Sequence, residues 1–285
     1  MIRYVDPLSC TSLFIEPCFN EIGLSVATGF LLKYCEDTYL ITNWHVVSGK
    51  DADSLECLDK KHLAIPNNLM VSFHKKGSLG EWVKKRIDLL DDSEEPLWLE
   101  HPLGSEVDVV AIKLDETDDI EIYTLDFKLK DTDMIPVTAM PVSVIGYPFG
   151  LSAGANWPIW KTGNIASDHG IDFEVNRPAF LIDATTRAGM SGSPVVLRAD
   201  SYERSNGTFA MGGGIQTRFL GVYAGRIHGQ SEIGRVWRPF VIQEIIESRL
   251  SFNDESMRFT PSRIAKCPCN RGLRFKECCG KLHNK

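Results

Sequence analysis

The run Gly189-Met190-Ser191-Gly192-Ser193-Pro194 constrains this chain more than any other stretch. A glycine two places before a serine, followed by a glycine, a small residue and a proline, sets a hydroxyl on a tight turn. Glycine at 189 lets the backbone bend so that the N–H groups of Gly189 and Ser191 point at one spot, where a carbonyl oxygen would become an oxyanion. Gly192 leaves room beside the hydroxyl. Standing alone, such a run is equally a Gly/Ser connection between two strands, so its meaning depends on what else the chain carries.

Two further segments decide between these readings. Tyr39-Leu40-Ile41-Thr42-Asn43-Trp44-His45-Val46-Val47 is an apolar strand delivering a histidine at its end, and Glu106 to Leu114 is a strand opening with Asp108. Taken singly, His45 reads as a satisfied histidine at a strand end and Asp108 as a turn residue. Together they give the order His45, Asp108, Ser191, with gaps of 63 and 83 residues. That is the order of the chymotrypsin-type arrangement and differs from the subtilisin and α/β-hydrolase orders. In such a site the histidine takes the proton of the attacking serine. The aspartate holds the imidazole in the right tautomer, and the serine acyl-enzyme is then hydrolysed.

The chain resembles the trypsin-like (chymotrypsin-fold) serine peptidases, in particular their HtrA-like branch. Thr28-Gly29-Phe30-Leu31-Leu32 is similar to that branch's GxGF-type strand. Val144 to Leu151 is similar to its IGxPFGL segment, and Ile182-Asp183-Ala184 stands where its TDA segment stands before the nucleophile. Thr162 to Ile165 resembles the strand opening the substrate side of the second barrel. The resemblance runs through most of residues 20–250. It implies an all-β fold of two packed six-stranded antiparallel β-barrels with a C-terminal helix, a serine endopeptidase activity, and protein or peptide substrates. It also implies that the floor of the primary pocket is Thr185, six residues before Ser191, with walls from the strand Gly221-Val222-Tyr223-Ala224-Gly225-Arg226 and the neighbourhood of Gly234. Without an aspartate at 185, cleavage after Arg or Lys is not expected. A small or medium uncharged residue is, with Arg226 at the rim as a second influence that would favour acidic residues.

The departures also carry meaning. Met190 stands where digestive proteases have an aspartate that pairs with a freed N-terminus, so activation by N-terminal cleavage is not implied. Ser193 replaces the second glycine of the usual GxSGG, a change too small to harm the chemistry. The region after Leu250 is too short for the PDZ domain of HtrA proteins, so their quality-control role is not carried over.

The peptidase domain is expected over residues 1–252, with barrels at about 10–120 and 135–237 and a helix at about 239–250. Alternating apolar runs suggest strands at 24–33, 37–43, 69–74, 83–90 and 107–114. The acidic stretch from Asp88 to Glu95 reads as a solvated turn and Asp115 to Glu121 as the start of the interbarrel linker. Ala199 to Gly214 reads as an inserted hairpin or mobile loop. Phe240, Val241, Ile245, Ile246 and Leu250 fall at helical spacing. With 285 residues and 43% hydrophobic content the chain can bury a sizeable core. No stretch approaches the roughly 20 apolar residues of a membrane span. Asp6 and Pro7 lie where a secretory apolar core would begin, so a cytoplasmic protein is expected. In a reducing compartment Cys10, Cys18, Cys35 and Cys57 are expected as buried or partly buried thiols rather than disulfides.

The tail is the second informative region. After a linker at 253–264, Cys267-Pro268-Cys269 and Cys278-Cys279 place four of the chain's eight cysteines within thirteen residues. Two close thiolate pairs can close a tetrahedral zinc site and so fold a peptide too short for its own core; the alternative is a redox-active or disordered cysteine tail. Residues 265–285 resemble the SEC-C motif of bacterial proteins, which implies a structural Zn(2+) on Cys267, Cys269, Cys278 and Cys279 and a bacterial source. His283 is a substitute ligand of lower weight. No cofactor is expected in the catalytic chemistry. Residues 258–285 carry a formal +7 against −7 for the whole chain, which leaves residues 1–257 at −14. Four zinc-bound thiolates would reduce the tail's value to roughly +5. This basic tail is either a solvated module or a contact for an acidic surface on an activating or recruiting protein, or on RNA. The acidic body shows nothing that suggests nucleic acid. Two non-enzymatic alternatives stand beside the peptidase: a catalytically silent protease-fold scaffold, and an adaptor acting through the zinc tail.

Overall fold

Short, β-branched apolar runs broken by turn residues make strands, and strands organise this chain. The computed structural model describes residues 4–115, 118–175 and 177–253. The N-terminal half contains α1 (Pro7–Thr11), β1 (Ser12–Phe19), β2 (Ile22–Gly23), β3 (Ala27–Tyr34), β4 (Asp37–Thr42) and α2 (Trp44–Ser48). It continues with β5 (Asn68–Lys75), β6 (Trp82–Asp88), β7 (Leu99–Glu100), β8 (Val110–Lys113), β9 (Ile120–Glu121) and β10 (Thr124–Leu125). The C-terminal half contains β11 (Pro141–Gly146), β12 (Ile159–Ile165), β13 (Ala179–Ala184), β14 (Pro194–Glu203), β15 (Phe209–Arg226), β16 (Ile233–Trp237) and α3 (Phe240–Asn253). None of the described helices is long and apolar enough to cross a membrane.

The two halves close differently. In the second, β11-β12-β13-β16-β15-β14 form a closed six-stranded antiparallel barrel. The first is a ten-stranded sheet along β6-β5-β1-β3-β4-β8-β7, with β2, β9 and β10 added beside it, rather than the six-stranded barrel expected. Past its two end strands, an isolated bridge between Leu90 and Pro96 and the Leu97 N–H on the Leu89 carbonyl hold a tight turn together. The segment expected to open the interbarrel linker instead supplies β9, whose Ile120 and Glu121 pair with β5. β10 then runs parallel to β3 through Leu31 and Leu32.

Burial follows the pleat. β6 exposes Lys84, Arg86 and Asp88, charges that discourage pairing at a sheet edge. Three apolar cores result: one inside each half, and a third between them. The third joins Phe30, Ile41, Val109 and Ile145 to Trp237 and to Val241, Ile242, Ile245 and Ile246 of α3. That spacing lays one stripe of the helix on the seam, while Phe240 at its start is exposed. Met190 is fully buried in the second half's core.

Ala199 to Gly214 belongs to a long β14–β15 hairpin. Its turn is at Arg204–Thr208, where Gly207 donates to the Arg204 carbonyl. The glycine run is not that turn. It lies in a register break of β15, opposite the step from Ala199 to Ser201. Cys10 and Cys18 are buried free thiols and Cys57 is partly buried. Cys35 is exposed, against expectation, because it occupies the β3–β4 turn at φ 52°.

Candidate active site

His45 is carried by the five-residue helix α2, directly after β4. Asp108, buried, precedes β8, which pairs with β4. The Asp108 carboxylate grips His45 twice. Oδ1 accepts from the His45 backbone N–H at 2.9 Å, and Oδ2 lies 2.7 Å from Nδ1. Asn43 is the N-cap residue of α2, yet its side chain does not cap the helix. It donates instead to the Asp108 carbonyl at 2.6 Å, fixing the backbone of the residue that fixes the histidine. Burial by itself would push the imidazole pKa down. The charge and hydrogen bond of Asp108, helped by the charge of Asp51, outweigh it and hold the pKa above its ordinary value.

Ser191 sits between two glycines that no other residue could replace without strain. Gly189 has φ 93° and Gly192 has φ 84°, and a Cβ on either would run into backbone, the Tyr147 carbonyl in one case and the Thr28 carbonyl in the other. Among the described residues, the N–H groups of Gly189 and Ser191 donate to no protein acceptor. Met190 points the other way and anchors the loop in the core of the second half. The Ser193 hydroxyl is buried over Gly146, where a side chain would collide with it. The Ser191 hydroxyl donates to the Ala224 carbonyl at 3.2 Å. That carbonyl lies at a register shift of β15 against β16 between Tyr223 and Gly225, and such bulges re-aim groups beside a site.

Thr28, met in the sequence only as part of a strand motif, ties the Ser191 loop to the first half. Its backbone N–H donates to the Ser191 carbonyl at 2.9 Å, and its hydroxyl donates to the Gly189 carbonyl at 2.8 Å. The same hydroxyl accepts from the Tyr147 N–H at 3.2 Å. The Phe149 N–H donates to the Ala188 carbonyl at 2.6 Å from a left-handed conformation, φ 55°.

Of the residues expected around the primary pocket, Ala224 and Gly225 are partly buried, Gly234 is buried and Arg226 is exposed. Thr185, expected at the floor, is exposed. Burial alternates along Ile182-Asp183-Ala184-Thr185-Thr186, so Thr186 turns inward. Thr186 meets the hydroxyl of Tyr223, and burial pushes that phenol's pKa up to about 12. Arg187 pairs with Glu232 at 2.9 Å. Sequence reasoning placed Tyr223 only within the strand expected to wall the pocket, and missed Thr28, Asn43 and Thr186. Only the threonine before Gly29-Phe30 and the asparagine two places before His45 left a local trace. Cys267, Cys269, Cys278, Cys279 and His283 lie outside the described residues.

Residues 27–201 match the trypsin-like peptidase domain. No curated protein sequence matches the chain. Among solved structures, the chain is similar to a protease from M. tuberculosis in its active form, at 18% identity and a TM-score of 0.45, over 84% of this chain and 81% of that one. It is similar to a serine endoprotease from Yersinia pestis at 14% identity and a TM-score of 0.47, over 84% of this chain and 62% of that one. It is also similar to an HtrA-type protease with a tripeptide, at 15% identity and a TM-score of 0.49, over 84% of this chain and 60% of that one.

Proposed function

Since the chain belongs to the trypsin-like peptidase domain family, we propose that it is a serine endopeptidase with Ser191 as nucleophile, His45 as general base and acid, and Asp108 as the residue that orients and charges the imidazole. The observation that carries this reading is the double grip of Asp108 on His45. It presents Nδ1 as a donor and leaves Nε2 free to take a proton. Attack requires the Ser191 hydroxyl to turn away from Ala224 about its own Cα–Cβ bond and give its proton to His45. The Ala224 carbonyl is then free to accept an N–H of the bound peptide. The oxyanion is held by the N–H groups of Gly189 and Ser191. The protonated imidazole returns its proton to the leaving amine, and water attacks the acyl-enzyme by the same route in reverse.

The test is hydrolysis of a peptide library together with labelling by a fluorophosphonate. Ser191→Ala and His45→Ala should each abolish turnover, and the label should fall on Ser191. Full hydrolysis by Ser191→Ala would overturn the assignment.

The tail enters the same reading as a recruitment module: Zn(2+) on Cys267, Cys269, Cys278 and Cys279, with a basic surface for an activating or substrate-delivering protein. Its charge, opposite in sign to the body's, supports this. One zinc per chain is expected, lost in Cys267→Ser. A truncation ending at Phe252 should keep cleavage of short peptides and lose cleavage of the physiological target. Freshly purified protein without zinc would refute the site.

A further inference from the structure

Tyr223 is a buried member of the second half's core that reaches from the Ser191 loop to Thr186. With the oxyanion held at Gly189 and Ser191, the acyl residue of a bound peptide lies against Ala224, whose carbonyl is 3.2 Å from the Ser191 hydroxyl oxygen. Its side chain is then directed between the segment Ala224–Arg226 and the segment Thr185–Arg187. Gly234 closes the back, paired with Ile182 on one side and Arg226 on the other. Tyr223 stands in that space. Its backbone is fixed beside the nucleophile, for its carbonyl accepts from Gly192 and its N–H donates to Ser193, both at 2.9 Å. Its ring is 2% exposed and lies so closely over Gly234 that a Cβ there would be driven into it. Its hydroxyl meets that of Thr186, which is 0% exposed. Both ends of the side chain are thereby held, the backbone by the nucleophile loop and the hydroxyl by Thr186.

We propose, resting on the reading of Ser191 as nucleophile, that Tyr223 and Thr186 plug the primary pocket and restrict cleavage to peptides with glycine, alanine or serine on the acyl side of the scissile bond. A larger side chain must expel the ring, which unpairs two buried hydroxyls. Glu232, whose charge acts on Tyr223, is paired with Arg187 and so is not free to invite a lysine or arginine. The plug also explains why Gly234 carries no side chain: the ring needs its room.

Peptidyl diphenyl phosphonates separate this claim from the catalytic one, because the serine oxygen attacks phosphorus and expels phenol in every probe, and the probes differ only in one side chain. Rates of Ser191 modification, followed by intact mass, are compared for an alanine-type and a phenylalanine-type probe, with a plain fluorophosphonate beside them. The alanine probe should react on the order of 100-fold faster, the scale of a steric pocket's discrimination. In Tyr223→Val the ratio should fall to about tenfold or less. Thr186→Val, nearly isosteric, should relax the exclusion in the same direction by freeing the ring, and serves if Tyr223→Val does not fold. An alanine probe no faster than the phenylalanine probe, with Ser191 labelled by the fluorophosphonate, overturns the inference and leaves the catalytic reading standing. Undiminished exclusion in folded Tyr223→Val overturns it as well. Failure of every probe to label Ser191 removes the catalytic reading and this inference with it.

Discussion

The two halves hold their contributions to the site in different ways. In the first, His45, Asp108 and Asn43 are hydrogen-bonded to one another within paired strands and a short helix, so the proposed base and its orienting acid draw these bonds from one half. In the second, the nucleophile rides on a glycine-flanked loop whose Gly189 and Ser191 carbonyls are both held by Thr28, a residue of the other half. The hydrogen bonds that hold the proposed base thus stay within one half, while those that hold the Ser191 loop cross the apolar seam lined by Phe30, Phe219 and Trp237.

The sharpest way to break this contrast is at Asp108. Asp108→Asn should cost on the order of 10⁴ in turnover, since the amide favours the wrong tautomer of His45. It should also move the acid limb of the pH–rate profile. In the native protein that limb lies above the ordinary imidazole value of 6.5, because the proton must leave a His45 whose pKa is raised. In the variant it should fall. A limb that stays in place would show that Asp108 does not set the charge of His45.

Acid stability sharpens the comparison within the first half, where two histidines are displaced in opposite directions. His74 is 1% exposed, its Nε2 lies 3.0 Å from the Cys10 carbonyl, and burial lowers its pKa from 6.5 to about 4. Between those values the unfolded chain binds a proton at this site and the folded chain does not. Stability is therefore lost as pH falls from 6.5 towards 4, by about 3 kcal/mol at this residue. His45, with its pKa raised, contributes stability that is fully present below 6.5 and lost as pH rises through its folded value. Urea unfolding across this range should show a flatter acid slope in His74→Phe, and an unchanged slope would remove His74 as the cause.

Thr28→Val tests the dependence of the nucleophile on the first half. Losing the hydroxyl frees the Gly189 carbonyl, whose peptide unit lies between the two that carry the proposed oxyanion donors, the N–H groups of Gly189 and Ser191, and the loop can shift. Turnover should drop by about 10- to 100-fold, less than for outright loss of a donor, with the acid limb of the pH profile unmoved. A shift of that limb would mean that Thr28 acts through His45 instead. The smallest effect belongs to the exposed ionic link between the halves, in which Asp53 pairs with Arg177 at 2.6 Å and with Arg235 at 3.4 Å. Asp53 is largely exposed, so Asp53→Asn should change the unfolding free energy by no more than about 1 kcal/mol. A larger loss would place more of the docking in this link than in the apolar seam.

The amino-acid sequence by itself marked the candidate reacting groups and their local settings. Gly189 and Gly192 adopt dihedrals that favour glycine, and the sequence showed the two glycines near the serine without showing those dihedrals. The strand periods around His45 and Asp108 mark which positions face inward, since alternation is a local property of an extended chain. The stripe Val241, Ile245, Ile246 declared α3 in the same way. What periodicity does not encode is the partner across a distance. Thr28 reaches Gly189 over 161 residues, Asn43 reaches Asp108 over 65, and Thr186 meets Tyr223 over 37. The inward turn of Thr186 in place of Thr185, the tenfold strand count of the first sheet and the plug over Gly234 were likewise decided only when strands paired. Alternation along a strand or helix is a local property, but which positions are finally covered, and which partner each polar group finds, follow from register and docking, which only the assembled tertiary structure fixes.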